Sequence, residues 1–265
     1  MPGEKKRMAV LIATDTETTG LAKTVGSEDF VQLAAVMHRE GSDTVATFNE
    51  LAFSRVPISE GAARIHGHTM DSLKASNARP SSVVANEFAY DVAIFAGNEP
   101  YIIAAHNLKY DEMIMKGHEP LKLLLDRAAG FVCTRKAAER SMPLIDNHRL
   151  PTVMEACGLA MPGGAHEGMS DAMSCFMLAR HFAKLKGGYE GLADWLAEPV
   201  LLDVMPFSKL WKGVKFEDID SGFLEWCLKQ ADMNEDVKHT ARFHLDQRSA
   251  SVARASADVG DVPRY

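Results

Sequence analysis

The chain has 265 residues, 46% of them hydrophobic and 25% charged. That composition excludes a disordered or fibrous protein for most of the length, and suits one large domain or a main domain with a small appendage. The formal net charge of -7 counts against a broad basic surface for nucleic acid, so any such partner needs local cations or bound metal ions.

The N-terminus, MPGEKKRMAVLIA, is basic and then apolar. Asp15 and Glu17 interrupt the run and no small-residue cleavage site follows, so a signal peptide is not expected. No stretch is long enough to span a membrane. Cys133, Cys157, Cys175 and Cys227 are scattered without a Cys-x-x-Cys pair. This argues against a cysteine zinc site or a disulfide framework and fits a reducing cytoplasm, which is the expected location.

In chain order, MAVLIAT (8–14) reads as a buried strand. FVQLAAVMHRE (30–40) and TVATFNELAFSR (44–55), separated by a turn-like EGSD, read as a strand hairpin. Pro80, Ser81 and Ser82 mark the start of a helix that runs to Gly97. YIIAAH (101–106) is a strand, followed by a helix with Asn107 as its cap. EPLKLLLDRAAG is helical, FVCT (131–134) a short strand, and RKAAERSM and LPTVMEACGL helical. SDAMSCFMLARHFAKLKGG is the most convincing amphipathic helix. Strands first, then helices alternating with strands, imply an α/β fold with a mixed sheet flanked by helices. YEGLADWLAEP, within 187–198, reads as a connecting helix. Residues 199–248 form a small C-terminal module, and 249–265, poor in large apolar residues, is expected to be disordered.

Asp15 and Glu17, two apart on a strand, leave the same face. A hard divalent cation would relieve their repulsion, although an isolated Asp-x-Glu is more often a solvated strand end. Asp111 lies about a turn into the helix after His106, where an acid also suits the helix dipole. His166 precedes Asp171 by five, a rotation of about 500° on a helix, so the two side chains cannot share a face. Asp171 can face the sheet from the helix while His166 sits on the preceding PGG loop, where it is either a surface histidine or a general base.

Taken together, DTETTGL (15–21), HNLKYD (106–111) and HEGMSD (166–171) resemble the DEDD exonucleases, in the branch with a histidine in the last motif. ARIHGHT (63–69) matches a further stretch of that family, with His68 where an apolar residue is usual. The resemblance covers about residues 8 to 186 and implies a ribonuclease H-like sheet. Asp15, Glu17, Asp111 and Asp171 would hold two divalent ions, Mg2+ with Mn2+ as a substitute, and His166 would take a proton from the attacking water. The reaction implied is 3′→5′ removal of nucleoside 5′-monophosphates from DNA 3′ ends, single-stranded or duplex. RNA is an alternative substrate, and an inactive binding module a less favoured reading, because all the acids are present. By the same resemblance, Thr18, Thr19, Gly20 and Leu21 hold the terminal nucleotide, with Leu21 wedged against its base. Ile65, His66 and Gly67 line its pocket, and His106 and Asn107 contact the strand.

The C-terminal stretch MPFSKLWKGVKFEDI…FLEWCLKQ resembles the small domain that follows the nuclease in bacterial exodeoxyribonuclease X enzymes, with Ser208 and Leu210 in place of a glycine and a tyrosine. Trp211, Phe223 and Trp226 read as its core, with base stacking by a tryptophan as the alternative. Residues 198–248 hold seven Lys or Arg against ten Asp or Glu, so no basic DNA-binding surface is evident there.

Overall fold

The computed structural model describes residues 9–164 and 166–259. Met8 and 260–265, which the sequence reading assigned to the first strand and the tail, lie outside them. The chain folds as two compact units: the described residues up to 138 with 146–197, and 139–145 with 198 onward.

The first unit is a six-stranded sheet in the order β4-β3-β2-β1-β5-β6. The strands are β1 (Val10–Thr18), β2 (Phe30–Arg39), β3 (Val45–Phe53), β4 (Arg79–Pro80), β5 (Tyr101–Ala105) and β6 (Gly130–Cys133). β1, β2 and β3 pair antiparallel, whereas β5 lies parallel to β1 and β6 parallel to β5. This is the mixed sheet the sequence implied. Helices α1 (Glu60–His66), α2 (Met70–Ala75), α3 (Ser81–Ala96), α4 (Leu108–Met115) and α5 (Glu119–Arg127) fall between strands, and α6 (Thr134–Ser141), α7 (Leu150–Ala156), α8 (Gly168–Lys186) and α9 (Tyr189–Ala197) follow the last one. Alternation along β1 sends Val10 and Ile12 into one core with Phe30, Leu33, Val84, Phe88 and Leu121. α8 packs against β1, β2 and β5. Among the described residues, no helix is long and apolar enough to cross a membrane.

Four expectations change. β1 does not stop at Thr14: it continues through Asp15 and Glu17 to Thr18, because β2 keeps pairing with it, Asp15 opposite Ala34 and Glu17 opposite Gln32. α9 is not a connector; it packs on α8, β5 and β6 and buries Tyr189, Leu192, Ala193 and Leu196. Gly130 of β6 permits that approach, since a Cβ there would sit 2.9 Å from the Ala193 Cβ. Residues 139–145, sequentially far from the C-terminal module, belong to the second unit. There Arg140 pairs with Asp236 through two contacts of 2.8 Å. Finally, 249–259 continues α11 (Glu235–Val259) as helix. Four alanines in that stretch explain the misreading: a scarcity of large apolar residues says little against a helix when alanine is the best helix former.

The second unit also contains α10 (Ser221–Lys229), capped by the Asp220 carboxylate, which accepts from the Phe223 N–H at 2.8 Å.

Candidate active site

Parallel pairing of β1 with β5 ends at Ala13 and Ala104, so the last residues of β1 outrun β5. The Thr16 hydroxyl donates to Asp111 Oδ1 at 2.9 Å, which ties the overhang to the first turn of α4. A register shift between Glu17 and Thr18 then turns the chain away from the ladder. From α8, Asp171 enters the same site, and its Oδ2 accepts the backbone N–H of His166 at 3.1 Å. His166 precedes the helix on the loop, as the five-residue spacing requires, and holds a left-handed φ of 62°.

These acids destabilise one another's charged forms. Burial, then the charges of Asp111, Glu17 and Asp171, push the Asp15 carboxyl well above its ordinary value. Burial and the charges of Asp171 and Asp111 raise Glu17 to about 7. Asp111 reaches about 7 mainly through burial, against the lowering effect of hydrogen bonds from Thr16 and its own backbone. Burial raises Asp171 too, partly offset by the His166 N–H. Asp171 Oδ1 is buried with no hydrogen-bond partner, and one ligand atom from each of Glu17, His166 and Asp171 lies within 4.8 Å of the others. Oxygen donors with unrelieved negative charge fit a hard divalent cation, and an unsatisfied buried carboxylate oxygen is what such an ion would occupy.

All five positions read as catalytic in the sequence are brought together here. Asp15, Glu17, His166 and Asp171 line a cleft of about 880 Å³ with Thr16, Leu21, His106 and Asn107, and Asp111 accepts the hydroxyl of that lining Thr16. Asn107 takes the N-cap position of α4 at φ 81° without a side-chain cap bond, and it lines the cleft. A second pocket, about 350 Å³, shares Glu17 and Leu21 and adds Thr18, Gly20, Ile65 and His66. Leu21 and Ile65 are 85% and 58% exposed, apolar surface held open to solvent.

Three expected contact residues are also held by the fold. Thr19 is fully buried; its hydroxyl accepts the Asp29 N–H at 3.0 Å and donates to the Glu28 carboxylate. Gly67 closes α1 at φ 78°, a left-handed position that glycine adopts freely. His106 reaches the cleft, but its Nδ1 meets the Thr134 hydroxyl and its Nε2 the His148 carbonyl, both at 2.9 Å. Burial above all lowers the His106 pKa to about 4, so the ring is neutral and, facing a carbonyl, carries its proton on Nε2. His66 is fixed likewise: Nε2 lies 3.1 Å from the Thr18 carbonyl and Nδ1 accepts the His68 N–H at 3.1 Å.

Other residues of the site were not read from the sequence. Tyr110 donates to the Gly20 carbonyl at 2.6 Å and meets the Thr18 hydroxyl at 2.8 Å, which fixes the turn after β1. It stands beside Asp111 in a stretch already singled out, so its position was a usable signal. Arg135, Asn147, His148 and Arg149 also line the cleft, and no spacing in the sequence marks them. Asp29 anchors the turn from below. Burial raises its carboxyl, but bonds from His118, Arg55 and Ser81 outweigh burial and hold it well below the usual carboxylate range.

Comparisons with known proteins agree with this fold. The exonuclease family model matches residues 12–178, well over half of the chain. The fold is similar to that of a 3′-exonuclease solved recognising a histone mRNA stem-loop, at 15% identity, covering 70% of this chain and 85% of that one, with a TM-score of 0.53. It is similar to the nuclease domain of 3′hExo, described as a DEDDh family member bound to rAMP, at 13% identity, 71% and 96% coverage and a TM-score of 0.50. Exonuclease X in complex with 5′-overhanging duplex DNA is 22% identical, at 72% and 100% coverage, with a TM-score of 0.47. The chain matches no curated protein sequence. With the family model spanning β1 to α8, a ribonuclease H-like mixed sheet, and three acids and a histidine lining one cleft with the fourth acid bonded to its Thr16, the chain belongs to the exonuclease family.

Proposed function

We propose that the protein is a metal-dependent 3′→5′ exodeoxyribonuclease that releases nucleoside 5′-monophosphates from DNA 3′ ends. The observation that carries this reading is the convergence of Asp15, Glu17, Asp111 and Asp171, all with raised pKa, around a buried and unpartnered Asp171 oxygen. These four acids would hold two Mg2+ ions, or Mn2+ in their place. When bound, such ions offset the carboxylate charge, activate water and stabilise charge on the scissile phosphate and leaving oxygen.

The chain's own residues supply the rest. Thr18, Gly20, Leu21, Ile65 and His66 form a pocket the size of a nucleoside, with apolar faces for the base. His66 and Tyr110 hold the carbonyls of Thr18 and Gly20, so the strand end that carries Glu17 stays in place when a nucleotide enters. His166, on an exposed loop, bonds Asp171 through its backbone N–H and makes no ring hydrogen bond among the described residues. Its imidazole accepts the proton of the attacking water, and the 3′ oxygen of the penultimate nucleotide leaves with the shortened strand.

A time course on 5′-labelled single- and double-stranded DNA and on the matched RNA, with Mg2+ or EDTA, tests the reading. Labelled DNA should shorten stepwise from its 3′ end with Mg2+ and remain intact in EDTA. Asp15→Ala and Asp171→Ala should fall to background, and His166→Ala should lose about 10²- to 10⁴-fold while still binding DNA. Normal digestion by Asp15→Ala, or RNA cut in preference to DNA, overturns it.

A further inference from the structure

The second unit carries a surface that its own core does not need. Met205, Phe216, Leu224 and Val237 are fully buried there, but Trp226 is absent from that cluster and 46% exposed. Trp211 and Phe223 only lean on the core. This corrects the expectation that the three aromatics form the centre of the module: Phe216 takes that place. Phe223 and Trp226, three residues apart on α10, share a helix face and stack at 5.3 Å with an interplanar angle of 23°. Trp211 extends the group, 5.9 Å from Phe223 and tilted by 41°. Leu210, beside Trp211 in the chain, is 73% exposed. Keeping an indole and a leucine in water costs stability, and an apolar group of this kind marks a binding surface.

Charge indicates the occupant. The segment 204–216, which supplies Trp211, contains Lys209, Lys212 and Lys215 and no carboxylate, although the chain as a whole carries -7; of the three, Lys215 pairs with Glu217 at 3.4 Å. The excess of acids over 198–248 falls outside this segment. Lys212 is held by the Ile145 carbonyl at 3.3 Å, a bond that positions the ammonium without neutralising it.

We propose that this face is a stacking platform for single-stranded DNA, with unpaired bases lying on Trp226 and Trp211 and Lys209 and Lys212 meeting the phosphates. Duplex DNA fits poorly because its bases are already stacked on each other. Only the choice of DNA as the polymer rests on the function proposed above.

The test uses the full chain in EDTA, with a labelled oligothymidylate of about 20 nucleotides followed by anisotropy and by tryptophan fluorescence. Trp226→Ala should weaken binding about 10-fold and abolish most of the quenching, while Trp226→Phe, which keeps a stacking ring, should stay within about threefold of the parent. Lys209→Gln should lower the slope of log affinity against log salt by about 1. Unchanged affinity and quenching in Trp226→Ala, equal competition by duplex, or tighter binding of oligouridylate would each overturn the proposal. Magnesium separates the two readings. Trp226-dependent binding without digestion sinks the nuclease assignment and supports the platform, whereas digestion without Trp226-dependent binding does the opposite.

Discussion

At the residue scale, the site is an arrangement of charges that disfavours its own ionised state. Glu17 and Asp111 titrate at about 7 in the folded protein and nearer 4 in the unfolded chain, so the folded form binds more protons between those values. Because native pKa values are raised, stability contributed by these groups is present at low pH and lost as pH rises. The metal-free protein should therefore lose on the order of 5 °C of melting temperature between about pH 5 and pH 7.5. Calorimetry in EDTA checks this. Mg2+ should restore the loss near pH 8 and do little near pH 5, where protons occupy the ligands. Asp15→Asn should melt higher than the parent at pH 8 in EDTA and respond less to Mg2+. A flat melting curve across this range would show that the carboxylates do not interact as the geometry requires.

At the element scale, close approach decides which helices belong together. A Cβ on Gly191, in the first turn of α9, would lie 2.0 Å from the Lys186 carbonyl oxygen at the end of α8. Gly191→Ala must push α9 away from α8 and β6, at a cost of about 3 kcal/mol in urea unfolding. Gly164→Ala serves as the control, since its Cβ would meet only the Glu167 side chain at 3.7 Å. The sequence marked α9 by its helical spacing but could not say what it packs on, because amphipathic patterning reveals a face and not its partner. The same limit applies to β1. Apolar content announces a strand up to Thr14, whereas ladder bonds to β2, invisible in composition, carry it on to Thr18.

At the scale of the whole molecule, the second unit has a buried ion pair of its own. Arg140 and Asp236 are 1% and 2% exposed at their side chains and pair in two-pronged fashion, so removing one partner strands a buried charge. Asp236→Ala should destabilise the second unit by about 3 to 5 kcal/mol. Magnesium-induced stabilisation should persist in that variant, because every acid of the site lies in the first unit. Loss of both together would mean that the two units do not unfold independently.

The order of motifs along the chain determined the family, the five candidate catalytic positions and the strand and helix alternation, because each rests on residue type and local spacing. Asp15 and Glu17 two apart, and His166 five before Asp171, prescribe strand and loop-to-helix geometry wherever the chain goes. Tertiary structure alone decided the rest: that Thr19 and His106 support the fold, that Tyr110 and Asp29 brace the turn after β1, that 139–145 joins the second unit, and that Trp226 stands in solvent. Those outcomes depend on which distant groups meet, and hydrogen bonds or packing between residues far apart in sequence leave no periodic trace in it.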